Sequence, residues 1–238
     1  MNKNNWHKLF NNKKFDYYVE SKKIKISPYK LAKVIFVNLT NKKFKIILNF
    51  FEKKLNLKKN DNFLDFGSGN GAFLLHFQKK VKKIYSIEIS KPLIKIQKKN
   101  LGRVSLIYAN PYNVKFFKKL GDNEIDVTIA NSVFQYFHDE NYCKNVLSEM
   151  IRVTKRTIFI YDIKDSLHKN KFLSNARKKQ NLSIYNFNKK YKYTPQRFYN
   201  KKFFKKFLNL KFPNKKINFF SLPKVQEDYK YGYCLKIT

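Results

Sequence analysis

Residues 63–73 read FLDFGSGNGAF. An apolar run interrupted by Asp65 gives way to Gly67, Gly69 and Gly71, and an amphipathic stretch, GAFLLHFQKKV (71–81), follows. The chain has six glycines in 238 residues and places three of them here, within five positions. Glycine weakens helices and strands, so the backbone at this point needs turns or close approaches that a β-carbon forbids. A strand, a tight glycine turn and a helix, in that order, predict a ligand-binding loop at the carboxyl edge of an open α/β sheet.

Strands and helices alternate outward from this junction. KIYSIEI (83–89) reads as a strand and SKPLIKIQKKN (90–100) as a helix, with Ser90 as N-cap ahead of a proline in the first turn. VSLIYA (104–109) is a strand, NVKFFKKL (113–120) a helix, IDVTIA (125–130) a strand, DENYCKNVLSEMIRVTK (139–155) a helix and TIFIYDI (157–163) a strand. Five short apolar strands alternating with helices predict a mostly parallel sheet covered on both faces. Upstream, LAKVIFVNL and FKIILNFFEKKL carry helical spacing. Downstream, residues 164–193 are polar, lysine-rich and weakly patterned. Thr194-Pro195 then reads as the start of a helix over TPQRFYNKKFFKKFL, and KINFFSL and YGYCLKI read as paired edge strands.

The bulk composition suits a folded globule, with 43% apolar and 17% aromatic residues. No apolar segment approaches the roughly 18–20 residues of a membrane span, and MNKNNWHKLF lacks the apolar core of a secretory signal. Cys143 and Cys234 form no framework, so a reducing, cytoplasmic location is expected. Neither they nor the four histidines have metal-ligand spacing, and no metal is expected. Net charge is +36, from 52 Lys and Arg against 16 Asp and Glu. Only five of the basic residues are arginine, and residues 166–226 hold 17 Lys or Arg and no acid. Coding bias toward A/T accounts for lysine, asparagine and isoleucine together, but not for the shortage of glutamate. A field of this sign attracts phosphorylated metabolites, nucleic acid or anionic membranes. Scarce arginine counts against guanine reading.

The glycine stretch fits D-x-G-x-G-x-G better than the dinucleotide pattern G-x-G-x-x-G, whose third spacing is one residue longer. Glu88 ends the second strand 17 residues after Gly71. This constellation resembles the class I, Rossmann-like S-adenosylmethionine-dependent methyltransferases, over roughly residues 60–163 by motif. The resemblance implies a seven-stranded, mostly parallel sheet with helices on both faces. It also implies an N-terminal helical lid (1–60), a cofactor-binding core (61–163) and an acceptor-facing insert with a last helix and strand pair (164–238), all in one structural domain. It further implies that Asp65, Gly67, Ser68, Gly69 and Gly71 wrap the amino-acid end of the cofactor. Glu88, with Ile89 beside it, would hold the ribose hydroxyls, Asn110 and Pro111 would meet the adenine, and Asn131, Ser132 and Val133 would line the cofactor's back.

For the acceptor, the motif (N/D/S)-P-P-(Y/F/W) of enzymes that methylate nucleic-acid amino groups is missing after the fourth strand, where Asn131-Ser132-Val133-Phe134 stands. Asn110-Pro111-Tyr112 follows the third strand, lacks the second proline and reads as a turn. No proline-cysteine pair supports cytosine C5 chemistry. Similarity in layout to relatives that methylate sugars and nucleotide-linked precursors implies methyl transfer, to oxygen, on a small anionic or phosphorylated metabolite such as a capsule or lipopolysaccharide precursor. His138, Asp162 and His168 are the candidate proton acceptors by position near strand ends four and five and in the insert. Tyr185, Tyr191, Tyr193, Tyr199, Tyr229, Tyr231 and Tyr233 are candidates for stacking on a base or sugar, and Tyr29 for the lid. Two other readings stay open: an RNA methyltransferase tracking phosphates with its lysines, and a non-catalytic cofactor-binding protein.

Overall fold

The computed structural model describes residues 27–35, 39–192, 195–226 and 228–238. Strand-sized apolar runs between one-faced helices bury both in a seven-stranded sheet of order β3-β2-β1-β4-β5-β7-β6. The strands are β1 (Asn62–Phe66), β2 (Lys83–Glu88), β3 (Val104–Tyr108), β4 (Ile125–Asn131), β5 (Thr154–Lys164), β6 (Ile217–Ser221) and β7 (Gly232–Ile237). β1 to β5 are parallel, while β7 runs antiparallel to both β5 and β6. The order reverses at β1, which pairs with β2 on one side and β4 on the other; such a switch point opens a crevice at the carboxyl ends of the strands.

Eight helices are described: α1 (Pro28–Ile35), α2 (Asn41–Leu55), α3 (Ala72–Phe77), α4 (Lys91–Asn100), α5 (Glu140–Val153), α6 (Lys169–Lys179), α7 (Ile184–Tyr191) and α8 (Lys201–Lys211). Period-two alternation divides each strand between two cores. Leu64 and Phe66 of β1 join Val146, Leu147 and Met150 of α5 and Phe204 and Leu208 of α8 on one face. Phe63 joins α2, α3 and α4 on the other. There Phe51 is fully buried, 4.8 Å from the Phe73 ring and edge-on to Phe159 at 5.3 Å. Burying one such ring stabilises the fold by about 1.5–3 kcal/mol.

Four local expectations change. The stretch 113–120 forms a 3-10 turn, Lys115–Lys119, which inserts Phe116 and Phe117 under β1 without completing an α-helix. The polar segment after β5 forms α6 and α7, each burying a single aromatic, Phe172 or Phe187; one apolar anchor per helix leaves almost no periodic signal. The next helix begins at Lys201, where the Asn200 side chain accepts from Lys202 N at 2.8 Å; Pro195 precedes it in irregular chain, and Thr194 lies outside the described residues. β6 and β7 pair as expected, but of the two only β6 is an edge and β7 is interior. The lid expected over residues 1–60 is described from residue 27 onward, apart from residues 36–38.

Candidate functional site

The glycine loop leaves β1 and enters α3 with Gly67, Gly69 and Gly71 all at positive φ (71°, 57° and 82°). A β-carbon on Gly67 would also come within 2.5 Å of Val133 Cγ2, so the turn and its packing against the β4 loop both exclude a side chain. A buried polar cluster fixes the loop from below. Gln97 of α4, fully buried, donates through Nε2 to Gly69 O (2.6 Å) and Ser68 Oγ (2.9 Å) and accepts from Ser86 Oγ (2.7 Å). From above, Asn70 Nδ2 donates to Leu31 O at 2.6 Å and ties α1 to the loop.

The crevice above this loop is a cavity of about 170 Å³. Gly67, Ser68 and Gly69 line it on one side, Glu88 and Ile89 at the end of β2, Pro111 after β3, and Asn131, Ser132 and Val133 after β4. These nine expected residues converge on one pocket. Three others do not line it. Asp65 lies buried behind the loop, its Oδ1 without a hydrogen-bond partner among the described residues. Gly71 caps α3, and Asn110 is exposed, with its Oδ1 accepting from Tyr112 N at 2.8 Å to close the turn. At the outer end stand Tyr112, His138 and Tyr142, with the His138 ring 4.6 Å from that of Tyr142.

Glu88 is nearly inaccessible, and burial pushes its carboxyl up to about 7. N–H groups of Ser90 (2.9 Å), Gly69 (2.7 Å) and Ile89 (2.8 Å) hold it partly back by donating to its oxygens. Asp65 is pushed well up, first by burial and then by the charge of Glu88. Two buried acids beneath a loop whose Gly67, Ser68, Gly69 and Gly71 N–H groups are already bonded within the protein suit a ligand that carries hydroxyl and ammonium donors, and disfavour a diphosphate.

A second cavity, of about 330 Å³, adjoins the first through the shared walls Phe73, Asn131, Ser132 and Tyr136. Asp162, at the end of β5, lines it with φ +62°. Its Oδ2 accepts from Ser132 Oγ at 2.8 Å and its Oδ1 from Lys164 Nζ at 3.0 Å. Lys164 is buried with it and lies 3.9 Å from Asp228. Tyr136, between the two cavities, has its hydroxyl pushed up to about 12 by burial and then by the charge of Asp162. His138 lines the first cavity and not the second, and sits 3.1 Å from Asp139. His168 lines neither cavity; it ends the 3-10 turn Ser166–His168 with its ring against Tyr231.

The sequence alone pointed to none of Gln97, Gln135, Tyr136, Lys164 or Gln196. Gln135 and Gln196 are 61 positions apart and meet because Arg197 N donates to Gln135 O at 2.8 Å. Of the candidate stacking tyrosines, Tyr199 and Tyr233 are core residues, Tyr185 is exposed, and Tyr193 lies outside the described residues. Tyr29 lines neither cavity and donates to Leu39 O at 3.2 Å. The basic residues of 166–226 line neither cavity.

Residues 64–160 match the family described as methyltransferase domain. The whole fold is similar to a solved S-adenosylmethionine-dependent methyltransferase from Clostridium acetobutylicum, at a TM-score of 0.60 and 12% identity over 87% of this chain and 94% of that one. It is also similar to magnesium protoporphyrin IX methyltransferase from Synechocystis, solved with bound S-adenosylhomocysteine, at 0.59 and 13% identity over 98% and 96% of the two chains. A phosphoethanolamine N-methyltransferase from Haemonchus contortus aligns at 0.62 and 12% identity, covering 97% of this chain and 48% of that one. No curated protein matches by sequence. Residues 64–160 thus match a methyltransferase domain, and the fold as a whole is the one seen in these S-adenosylmethionine-dependent methyltransferases. The methyltransferase domain runs from within β1 into β5, and so contains the glycine loop, Glu88 and the shared wall after β4. No described helix is long and apolar enough to cross a membrane.

Proposed function

We propose that the chain transfers a methyl group from S-adenosylmethionine, held in the first cavity, to an oxygen of a small acceptor held in the second. The observation that carries this reading is the wall the two cavities share after β4, because an in-line displacement requires donor and acceptor to lie side by side. When bound, the cofactor supplies an electrophilic methyl group and leaves as S-adenosylhomocysteine. Glu88 accepts from a ribose hydroxyl with the one lone pair, on Oε2, that its three backbone partners leave available. The loop at Gly67–Gly69 receives the amino-acid end. Tyr112, Pro111 and His138 bound the adenine end.

Of the three candidate proton acceptors, Asp162 alone lines the second cavity, which supports it as the base. Its carboxylate takes the proton that the acceptor hydroxyl loses as the new C–O bond forms, and Lys164 offsets its charge at 3.0 Å. A phosphorylated or nucleotide-linked part of the acceptor, as in a surface-polysaccharide precursor, would lie outside the cavity. There the exposed lysines of α6 begin, with Lys179 reaching to 3.9 Å of Asp228.

Calorimetry tests this reading. The wild-type chain should bind S-adenosylmethionine, and Glu88→Ala should weaken it about 10–100-fold, the worth of hydrogen bonds to a charged group. Absence of binding by the wild type overturns the donor site, and unchanged affinity in Glu88→Ala overturns the ribose assignment.

A further inference from the structure

Two buried carbonyl oxygens in the second cavity have no donor among the described residues. Gln135 Oε1 and Gln196 Oε1 are each without a hydrogen-bond partner among the described residues, and both side chains line this cavity. Gln135 is almost inaccessible, and its side-chain amide bonds the Tyr136 hydroxyl, which leaves its carbonyl for the cavity. An unmet buried acceptor costs about 1–3 kcal/mol, so a ligand that brings O–H donors to both recovers that cost on binding.

The charges along the same wall cancel. Lys164 stands between Asp162 at 3.0 Å and Asp228 at 3.9 Å, and Lys43 is the other cation of the lining. Among the described residues, two cations against two anions balance the lining. A phosphate monoester dianion inside would face two carboxylates and two carbonyl oxygens, and it has no protons to give them. An ammonium would meet Lys164. Phe44, Phe73, Tyr161 and Phe172 supply aromatic wall, apolar surfaces against which the C–H faces of a saturated ring pack.

On the reading of the two cavities as donor and acceptor sites, we infer that the methylated part of the acceptor is an uncharged, hydroxyl-bearing ring, a sugar or cyclic polyol, selected by Gln135 and Gln196. Their carbonyls accept from two ring hydroxyls, and a third hydroxyl is left to face Asp162 and the donor pocket. Any charged group on the acceptor stays outside the cavity.

The test is saturation-transfer NMR on the full chain with S-adenosylhomocysteine added. The probes are methyl glucoside, methyl galactoside and inositol, with inorganic phosphate and ethanolamine as charged controls. At least one polyol should receive saturation. The signal should fall about fivefold or more in Gln135→Leu with Gln196→Leu, since losing even 1 kcal/mol has that effect. Neither phosphate nor ethanolamine should displace the polyol. Gln196→Leu alone, on a half-buried irregular segment, provides the same readout if the double variant fails to fold. No signal from any polyol, displacement by phosphate or ethanolamine, or an unchanged signal in the variants overturns the inference. Calorimetric titration of S-adenosylhomocysteine into the same sample separates the two ideas. A chain that fails to bind it refutes the donor pocket, while polyol saturation in cofactor-free protein still reports on the cavity.

Discussion

Ser132 and Asp162, on the adjacent ends of β4 and β5, both hold left-handed backbone conformations, and the Ser132 hydroxyl donates to Asp162 at 2.8 Å. Neither is glycine, so each conformation costs about 1–2 kcal/mol that the surrounding structure must offset. The strain aims a hydroxyl and a carboxylate at the boundary between the two cavities. Such outliers gather where geometry matters more than local stability.

Replacing Asp162 tests that geometry. Asp162→Asn keeps a residue tolerant of the left-handed region and should lower turnover about 10²–10⁴-fold, the range for losing a general base. It also strips Lys164 of its nearest counter-charge, and breaking a buried pair costs about 3–5 kcal/mol. Thermal unfolding should therefore shift down. Adding Lys164→Met should restore the melting temperature without restoring turnover. A double variant that regains turnover would mean that Asp162 is only structural.

Gly67→Ala should be costly twice over. The new methyl meets Val133 at 2.5 Å, and φ of +71° disfavours any β-carbon. Together these predict a loss of about 2–5 kcal/mol, seen as a lower denaturation midpoint. Pairing it with Val133→Ala relieves the collision but not the backbone term, so partial recovery is the expected result.

The stability of the cofactor-free chain should fall with rising pH. Burial lifts Glu88 from its ordinary 4.5 to about 7, so between those values the folded state binds more protons than the unfolded one. Stability contributed by the protonated carboxyl is complete below 4.5, declines through that window and is gone above about 7. Asp65, raised by the same burial, adds to the decline. Unfolding measured across this range should show the fall, and Glu88→Gln should flatten part of it. Hydroxyl donors favour the carboxylate form, so cofactor binding near pH 6.5 should release protons, visible as a buffer-dependent binding enthalpy.

Gln97→Leu should loosen the glycine loop from a distance. It leaves Gly69 O, Ser68 Oγ and Ser86 Oγ short of a partner in a buried site, at about 1–3 kcal/mol. Weaker cofactor binding in calorimetry, with turnover at saturation little changed, is the expected pattern for a residue that positions the loop without touching the reacting atoms.

Local signals in the sequence carried the donor side. Three glycines in five positions, an acid ending the next strand and the two periodicities were enough to place the loop, Glu88 and β1 to β5. Side-chain direction was not legible: Asp65 alternates away from the crevice, and Asn110 spends its oxygen on its own turn. The acceptor side was almost silent, because Gln135 and Gln196 are ordinary polar residues until Arg197 pairs with Gln135 across 62 positions. Charge located neither cavity, since the basic residues of 166–226 line neither of them.

The interior position of β7 sets an order of assembly. β6 is synthesised before β7, yet its partner in the sheet is β7, not β5. Until residues 232–237 emerge and dock, β5 presents a bare edge and β6 has nowhere to zip. That edge is an invitation to pair with another nascent chain. Cys234, Tyr233 and Leu235 fill the gap from within once β7 docks, which removes that exposed edge.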